Sequence, residues 1–385
     1  MNKIKNSLIA ATGLLAVLAA ASASAATLKI GVIAPLTGGG APWGKASAEA
    51  MRIAAEKYNA NGGMTVGGKT YQIKVIAYDD QYKASGAVAA YDRLRDLDGV
   101  HIMLILTSPA AVSLRQSVEA DHIAAICACA SPQAVTKDSK FMMRINSTPD
   151  DYLPGMIKWL ADHVKQRRLV LVNPNDEVGQ PFAKQLSPLY KKYGFEILDT
   201  QFYDRDTTNF EPLITRILSR KPDVIDLGGT PPGTSGLVVR QIRELGYSGL
   251  LIKTAAPSPH EIVAAAGKKA AEGMLVNLFA DPSNAGFKHI AAEYKNAEGQ
   301  QPNEMIVPIY DGSAVLLRAI ELSGDPTNTS KVIAAFRKAL PMTSVQGDEL
   351  VLGGMNTIGA NREVLSTEYI GTIRDGEPVV LGKFR

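Results

Sequence analysis

Residues 29–47 read KIGVIAPLTGGGAPWGKAS. A short apolar run, Ile30 to Ala34, meets three glycines and then Gly44-Lys45. Gly39 to Lys45 matches the front of a phosphate-binding loop, G-x-x-x-x-G-K, which needs Ser or Thr next so that a hydroxyl can hold Mg²⁺. That position is Ala46. Pro42 removes one of the N–H groups on which such a loop depends, and Trp43 puts a large ring where phosphate would approach. The stretch reads as a strand, a glycine turn and a helix beginning near Trp43. It opens an α/β chain and is not a nucleotide site.

Outward from this unit the same alternation continues. The helix from Trp43 stops at NANGG, where Asn61 and Gly62 suit a left-handed cap. MTVGGKTYQIKVIAYDD reads as a hairpin turning at Gly67-Gly68. Strand HIMLIL (101–106), helix PAAVSLRQSVEAD and strand IAAICAC (123–129) follow. A second series starts at RRLVLVN and runs through FEILDTQFY, PDVIDLGG, GLLIKTA and EGMLVNLF, with helices between. Such alternation implies parallel sheets covered by helices on both faces. The segment EVLSTEYIGTIRDGEPVVLGK alternates with period two around Asp375-Gly376, a closing hairpin.

The N-terminus carries Lys3 and Lys5, an apolar stretch from about Leu8 to Ala20, and the small residues ASASAA. This is a leader-peptide pattern with an A-x-A site at Ala23–Ala25, so residues 1–25 are expected to be removed. The apolar run is shorter than the roughly 20 residues needed to span a bilayer. The expectation is an exported, soluble periplasmic protein. Of 385 residues, 360 would remain, enough for two lobes. Formal charge is +3, and +1 without Lys3 and Lys5, with no basic cluster to serve nucleic acid. The two cysteines, Cys127 and Cys129, are read as small buried strand residues without a bridge. No metal-ligand spacing occurs, and no cofactor is expected.

In open α/β sheets, ligands sit beyond the carboxyl ends of the strands. Three loops there share a pattern: Thr107-Ser108-Pro109, Ala130-Ser131-Pro132 and Thr230-Pro231-Pro232. Ser or Thr before Pro is a helix-start signature, and unpaired N–H groups at a helix start bind anions. Several such starts at one edge could grip a carboxylate without Lys or Arg.

Four segments, GVIAPLTGGGAPWG, NANGGMTVGGKTYQIKVIAYDDQ, RLRDLDGV and AAEGMLV, resemble the periplasmic leucine/isoleucine/valine-binding proteins of ABC importers. The resemblance covers essentially all of the chain after the leader. It implies two Rossmann-like lobes, the type I periplasmic binding protein fold, joined by a three-strand hinge. Lobe 1 would hold 26–146 plus 280–362, and lobe 2 would hold 147–279 plus 363–385. Crossovers would lie near Ser147, Phe279 and Arg362. The resemblance places the carboxylate grip at Ser108 or its neighbour Thr107, at Ala130-Ser131, and at a carbonyl from about Cys129. Trp43 would pack on the ligand. Where the family's amino-acid binders supply a glutamate for the ligand's ammonium, this chain has about Ala255. Second-lobe tyrosines of the family fall at about Thr230 and Val178, and its first-lobe disulfide at about Tyr82 and Thr107, so that bridge is missing.

These departures imply a small carboxylate, an aromatic, keto or related organic acid rather than a branched-chain amino acid. Asp150 and Asp281 are the acidic residues that could substitute for the missing glutamate. The expected role is a monomeric solute-binding protein serving a membrane permease. A ligand-sensing module of the same fold, signalling to a receptor or regulator, is the alternative. An enzyme is not expected: no G-x-S-x-G occurs, and His260-Glu261 has no second His after it.

Overall fold

In a computed structural model, residues 25–176, 178–255 and 257–384 are described. Of the expected leader, residues 1–25, all but the last lie outside them. Two sheets organise the rest. The nine-stranded sheet contains β1 (Ala26–Ala34), β2 (Met64–Val66), β3 (Lys69–Asp79), β4 (Ile102–Leu106), β5 (Ala124–Ala128) and β6 (Met142–Arg144). The seven-stranded sheet takes β7 (Arg168–Pro174), β8 (Glu196–Tyr203), β9 (Val224–Asp226), β10 (Leu250–Lys253) and β11 (Leu275–Leu278). The chain then returns to the first sheet for β12 (Met342–Thr343), β13 (Glu349–Gly353) and β14 (Glu363–Leu365), and ends in the second with β15 (Glu368–Arg374) and β16 (Glu377–Phe384).

Strand order is β12-β13-β14-β6-β5-β4-β1-β3-β2 in one sheet and β16-β15-β11-β10-β9-β7-β8 in the other. The central pairs are parallel, so both faces must be covered. Burial follows: every residue of β4 and β5 is buried. β2 and β3 form the expected hairpin through Gly67-Gly68, both at positive φ. β15 and β16 close the chain around Asp375-Gly376. The glycine of the opening stretch has a packing reason. A Cβ at Gly44 would sit 1.8 Å from the Pro35 carbonyl oxygen, so only glycine lets the helix Ala41–Asn59 start this close to the end of β1.

Three expectations are corrected. The last passage between sheets, expected near Arg362 with the second lobe resuming at 363, comes after Leu365, because Glu363 pairs in register with Arg144 and keeps β14 in the nine-stranded sheet. Cys127 and Cys129 are joined as a disulfide. Cys127 lies in β5 and Cys129 just past its end, and their Cα atoms, 5.7 Å apart, lie within bridging range. The Ser/Thr-Pro loops do not cap helices as expected. Residues 131–139 form turns rather than a helix, Ser108 Oγ is taken by the N–H groups of Ala130 and Ser131, and the Thr230 hydroxyl donates to the Leu227 carbonyl, so none of the three hydroxyls caps a helix, although Pro109 and Pro232 each stand in a first turn.

Among the described residues, no helix is long and apolar enough to cross a membrane. None of their His, Cys, Asp and Glu side chains gather in threes that could hold a metal ion.

Candidate functional site

The ends of β1, β4 and β5 on one side and of β7, β9 and β10 on the other face each other across a cleft. Between them lies a cavity of about 700 Å³, its open mouth included. The first lobe contributes Trp43, from the helix after the glycine turn, and the loops Thr107-Ser108 and Cys129-Ala130. The second contributes Val178, Gly229 and Ala255. Five aromatic rings line the space: Trp43, Tyr82, Tyr152, Phe182 and Phe279. Tyr152 and Phe279 meet edge to face, with centroids 6.5 Å apart.

Of the eight residues expected at the site, six line this cavity: Trp43, Thr107, Ser108, Cys129, Ala130 and Ala255. Ser131 and Thr230 do not. Ser131 faces a neighbouring cavity with Asp150, Lys184 and Gln185, because its N–H turns inward to Ser108 Oγ at 3.0 Å. Its own Oγ accepts from the Gln133 N–H at 3.2 Å. Thr230 is fully buried and its hydroxyl donates to the Leu227 carbonyl at 2.5 Å, which leaves Gly229 at the wall. Tyr82, Asn146, Tyr152, Phe182 and Met305 line the cavity without having been singled out as ligand contacts.

Two polar groups in this wall can only donate, the Ser108 hydroxyl and the Trp43 indole N–H. Ser108 Oγ accepts from the N–H groups of Ala130 at 3.1 Å and Ser131 at 3.0 Å. A hydroxyl has two lone pairs and one proton. With both lone pairs engaged, Ser108 can offer a ligand only its proton. Trp43 Nε1 and Thr107 Oγ1 are buried with no hydrogen-bond partner among the described residues. Asn146 is spent on the scaffold: its Oδ1 accepts from the Cys129 N–H and its amide donates to the Ser147 carbonyl. The helix Ser108–Ala120 starts at the cavity, so its positive end adds to this donor set.

None of the described residues lining the cavity is ionisable as an acid or carries a basic group, apart from the phenols of Tyr82 and Tyr152. Burial raises the Tyr152 phenol well above its ordinary range, so it stays neutral. Asp150 accepts from the Gln185 amide, and Asp281 from the N–H and hydroxyl of Ser283 at 2.8 and 2.7 Å. Neither lines the cavity.

Thr107 adopts φ 79°, ψ 148°. A β-branched residue there is strained, by about 1–3 kcal/mol, and such strain concentrates at binding sites. Replacing Thr107 by glycine should relieve it. The unliganded variant is expected to gain about 1 kcal/mol in denaturant unfolding. Carboxylate affinity should drop roughly tenfold or more, since a hydrogen bond to a charged group is worth about 1.5–3 kcal/mol. Equal losses of stability and affinity would show that the hydroxyl supports the fold rather than the ligand.

Comparisons with known proteins place this geometry. A family model described as periplasmic binding protein matches residues 27–377. A leucine-, isoleucine-, valine-, threonine- and alanine-binding protein of Pseudomonas aeruginosa is 26% identical over 341 residues, 85% of this chain and 87% of the relative. The crystal structure of a leucine-binding protein from Thermotoga maritima superposes with TM-score 0.80 at 22% identity, covering 93% of this chain and 99% of its own. An ABC-transporter solute-binding protein of Rhodopseudomonas palustris, in complex with 3,4-dihydroxybenzoic acid, gives 0.79 at 24% identity, over 93% and 97% of the two chains.

Proposed function

This chain belongs to the periplasmic binding protein family, and from that premise we propose that it captures a small carboxylate without an α-ammonium, an aromatic or keto acid, for an ABC importer. It is a solute-binding protein and not an enzyme. We place it in the periplasm, acting as a monomer that hands its ligand to a membrane permease.

The observation that carries the ligand reading is a wall with committed donors and no carboxylate among the described residues. Ser108 is restricted to donation, Trp43 and Thr107 present further donors, and the described lining has no carboxylate. An anion finds partners in such a wall. An ammonium, desolvated with only Ala255 where the amino-acid binders have an acid, would cost several kcal/mol. Five rings around the space favour a flat apolar body on the ligand. The fold alone does not choose, since its structural neighbours include both a leucine-binding protein and a dihydroxybenzoate complex.

A thermal-shift panel tests the reading. Benzoate, dihydroxybenzoate, phenylpyruvate and branched-chain keto acids are set against leucine, isoleucine and valine. Ligand at about 100 times Kd stabilises by about 2.7 kcal/mol, which moves the melt by several degrees. The acids should shift it and the amino acids should not. The reverse pattern defeats the proposal, and Glu177, next in sequence to Val178, would then be the first acidic residue to replace.

A further inference from the structure

Tyr82 and Arg205 come from opposite lobes, one from the loop after β3 and the other from the loop after β8. The guanidinium carbon of Arg205 lies 4.0 Å from the centre of the Tyr82 ring. That ring lines the ligand cavity, with its centroid 6.1 Å from that of Trp43. We propose that Arg205 is a positioning residue of the binding site, clamping Tyr82 across the cleft so that the aromatic wall is complete only when the lobes are closed. The inference rests on the cleft being the ligand site and adds how that site is held shut.

Both ends of the clamp are built for it. On the Tyr82 side, Gln81 and Tyr82 both adopt left-handed backbone, φ 52° and 60°. Two such residues in a row, one of them bulky, persist only where their surroundings impose them. Here Asp79 Oδ1 accepts the Gln81 N–H and Asp80 Oδ1 the Tyr82 N–H, each at 2.8 Å. The loop thus presents the ring into the cleft at the expense of local strain.

On the other side, Arg205 Nε pairs with Asp176, while Nη1 and Nη2 are buried without a hydrogen-bond partner among the described residues. A buried guanidinium that leaves its fork unpaired has the face of the ring as its remaining partner. Asp176 is itself fixed, since its Oδ1 accepts the N–H groups of Val178 and Gly179 at 2.9 Å. Val178 lines the cavity from the second lobe. The contact therefore links the second-lobe wall through Asp176 and Arg205 to Tyr82 and Trp43.

A second close approach accompanies it, where the glycine turn meets the helix Pro232–Glu244. A Cβ at Gly233 would lie 3.3 Å from Gly39 Cα. That contact is backbone against backbone and offers no selectivity. The Arg205–Tyr82 pair does, because it stacks on the ring against which an aromatic ligand would lie.

The test uses Arg205→Ala, Arg205→Lys, Tyr82→Leu and the Ala/Leu double variant. In unliganded protein, hydrogen exchange of residues 79–83 should be faster in Arg205→Ala, and Arg205→Lys should restore much of the protection. With benzoate as probe in stopped-flow binding, Arg205→Ala should raise the dissociation rate about tenfold while association changes less than about twofold, as a desolvated cation–π contact allows. In the Tyr82→Leu background, Arg205→Ala should have no further effect. Unchanged exchange in Arg205→Ala overturns the clamp, as does a full effect of Arg205→Ala in the Tyr82→Leu background. If wild-type protein binds none of the acids of the panel, the ligand reading fails while the exchange measurement still decides the clamp.

Discussion

Glu363→Ala is expected to destabilise the protein by about 3–5 kcal/mol, the usual result of leaving one member of a buried ion pair alone. Glu363 is completely buried and Arg144 is 1% exposed. Their pair joins β6 to β14, and Thr357 occupies the second carboxylate oxygen. Removing the carboxylate strands a guanidinium in the core. Arg144 also holds the site, since its Nη2 donates to the Ser131 carbonyl at 2.7 Å. The double variant Arg144→Met with Glu363→Leu separates the two roles. Replacing both charges with apolar groups is often neutral or stabilising. Its unfolding free energy should stay near wild type, while ligand affinity falls because the 129–132 loop has lost its donor. Denaturant unfolding and calorimetric binding of the two variants check this. A loss below about 1 kcal/mol in Glu363→Ala would mean that Arg144 finds another partner or water.

Stability should also fall as pH rises from 5 to 7. Glu304, in the loop between the helices Ala285–Glu298 and Ile306–Ser323, is fully buried, and neither carboxylate oxygen has a hydrogen-bond partner among the described residues. Desolvation pushes its carboxyl up to about 8. Glu261, on the second-lobe helix Pro259–Ala266, is pushed up to about 7, first by burial and then by Glu304. The Asn303 amide bridges the lobes, donating to Glu261 Oε1 and the Pro257 carbonyl, both at 3.0 Å. His260 Nε2 stands 3.6 Å from Glu304.

Both carboxyls titrate in the folded state above their ordinary value of 4.5. The folded protein then holds protons that the unfolded chain has released. Their contribution is complete below about pH 4.5 and is lost as pH rises through about 7 and 8. Each retained proton changes stability by about 1.4 kcal/mol per pH unit, so the pair should cost several kcal/mol across this window. Lys253, lowered by burial to about 7, acts with the opposite sign between 7 and 10.5, which is why the measurement belongs below pH 7. Glu304→Gln should flatten the slope in part, since burial also raises Glu368, Asp226, Asp80 and Asp311, which keep the rest of it. A wild-type melting temperature flat from pH 5 to 7 would show that these carboxyls ionise at no cost.

Which lines were legible in the sequence follows from how local their causes are. The resemblance names Trp43 as a ligand contact, while the glycine turn after a strand and the Pro just inside a helix fix only where in the chain it sits. Thr107, Ser108 and Ala130 are legible as the residues that follow β4 and β5, where parallel sheets put their ligand sites, and Cys129 follows from the resemblance. Tyr152, Phe182 and Met305 carry no such mark. They sit on helices or in a loop distant in sequence, and an aromatic residue on an amphipathic helix reads as ordinary core. In the sequence, Tyr82 stands out only as one position of the family's missing disulfide.

Sequence alone determined the alternation of strands and helices, the hairpins at Gly67-Gly68 and Asp375-Gly376, and the site-bearing strand ends. Periodicity, turn chemistry and cleft-edge position are set by neighbours within a dozen residues. Only the tertiary structure decided the sense of each hydroxyl. Ser108 and Ser131 look alike in sequence, yet Ser108 becomes a committed donor because two N–H groups of a loop 22 and 23 residues away fold onto it. The same holds for Glu363, which read as the start of the second lobe until Arg144, 219 residues earlier, held it in the first sheet. Partners brought together by chain folding rather than chain order fix what a polar group can offer, since a hydrogen bond or ion pair depends on distance in space.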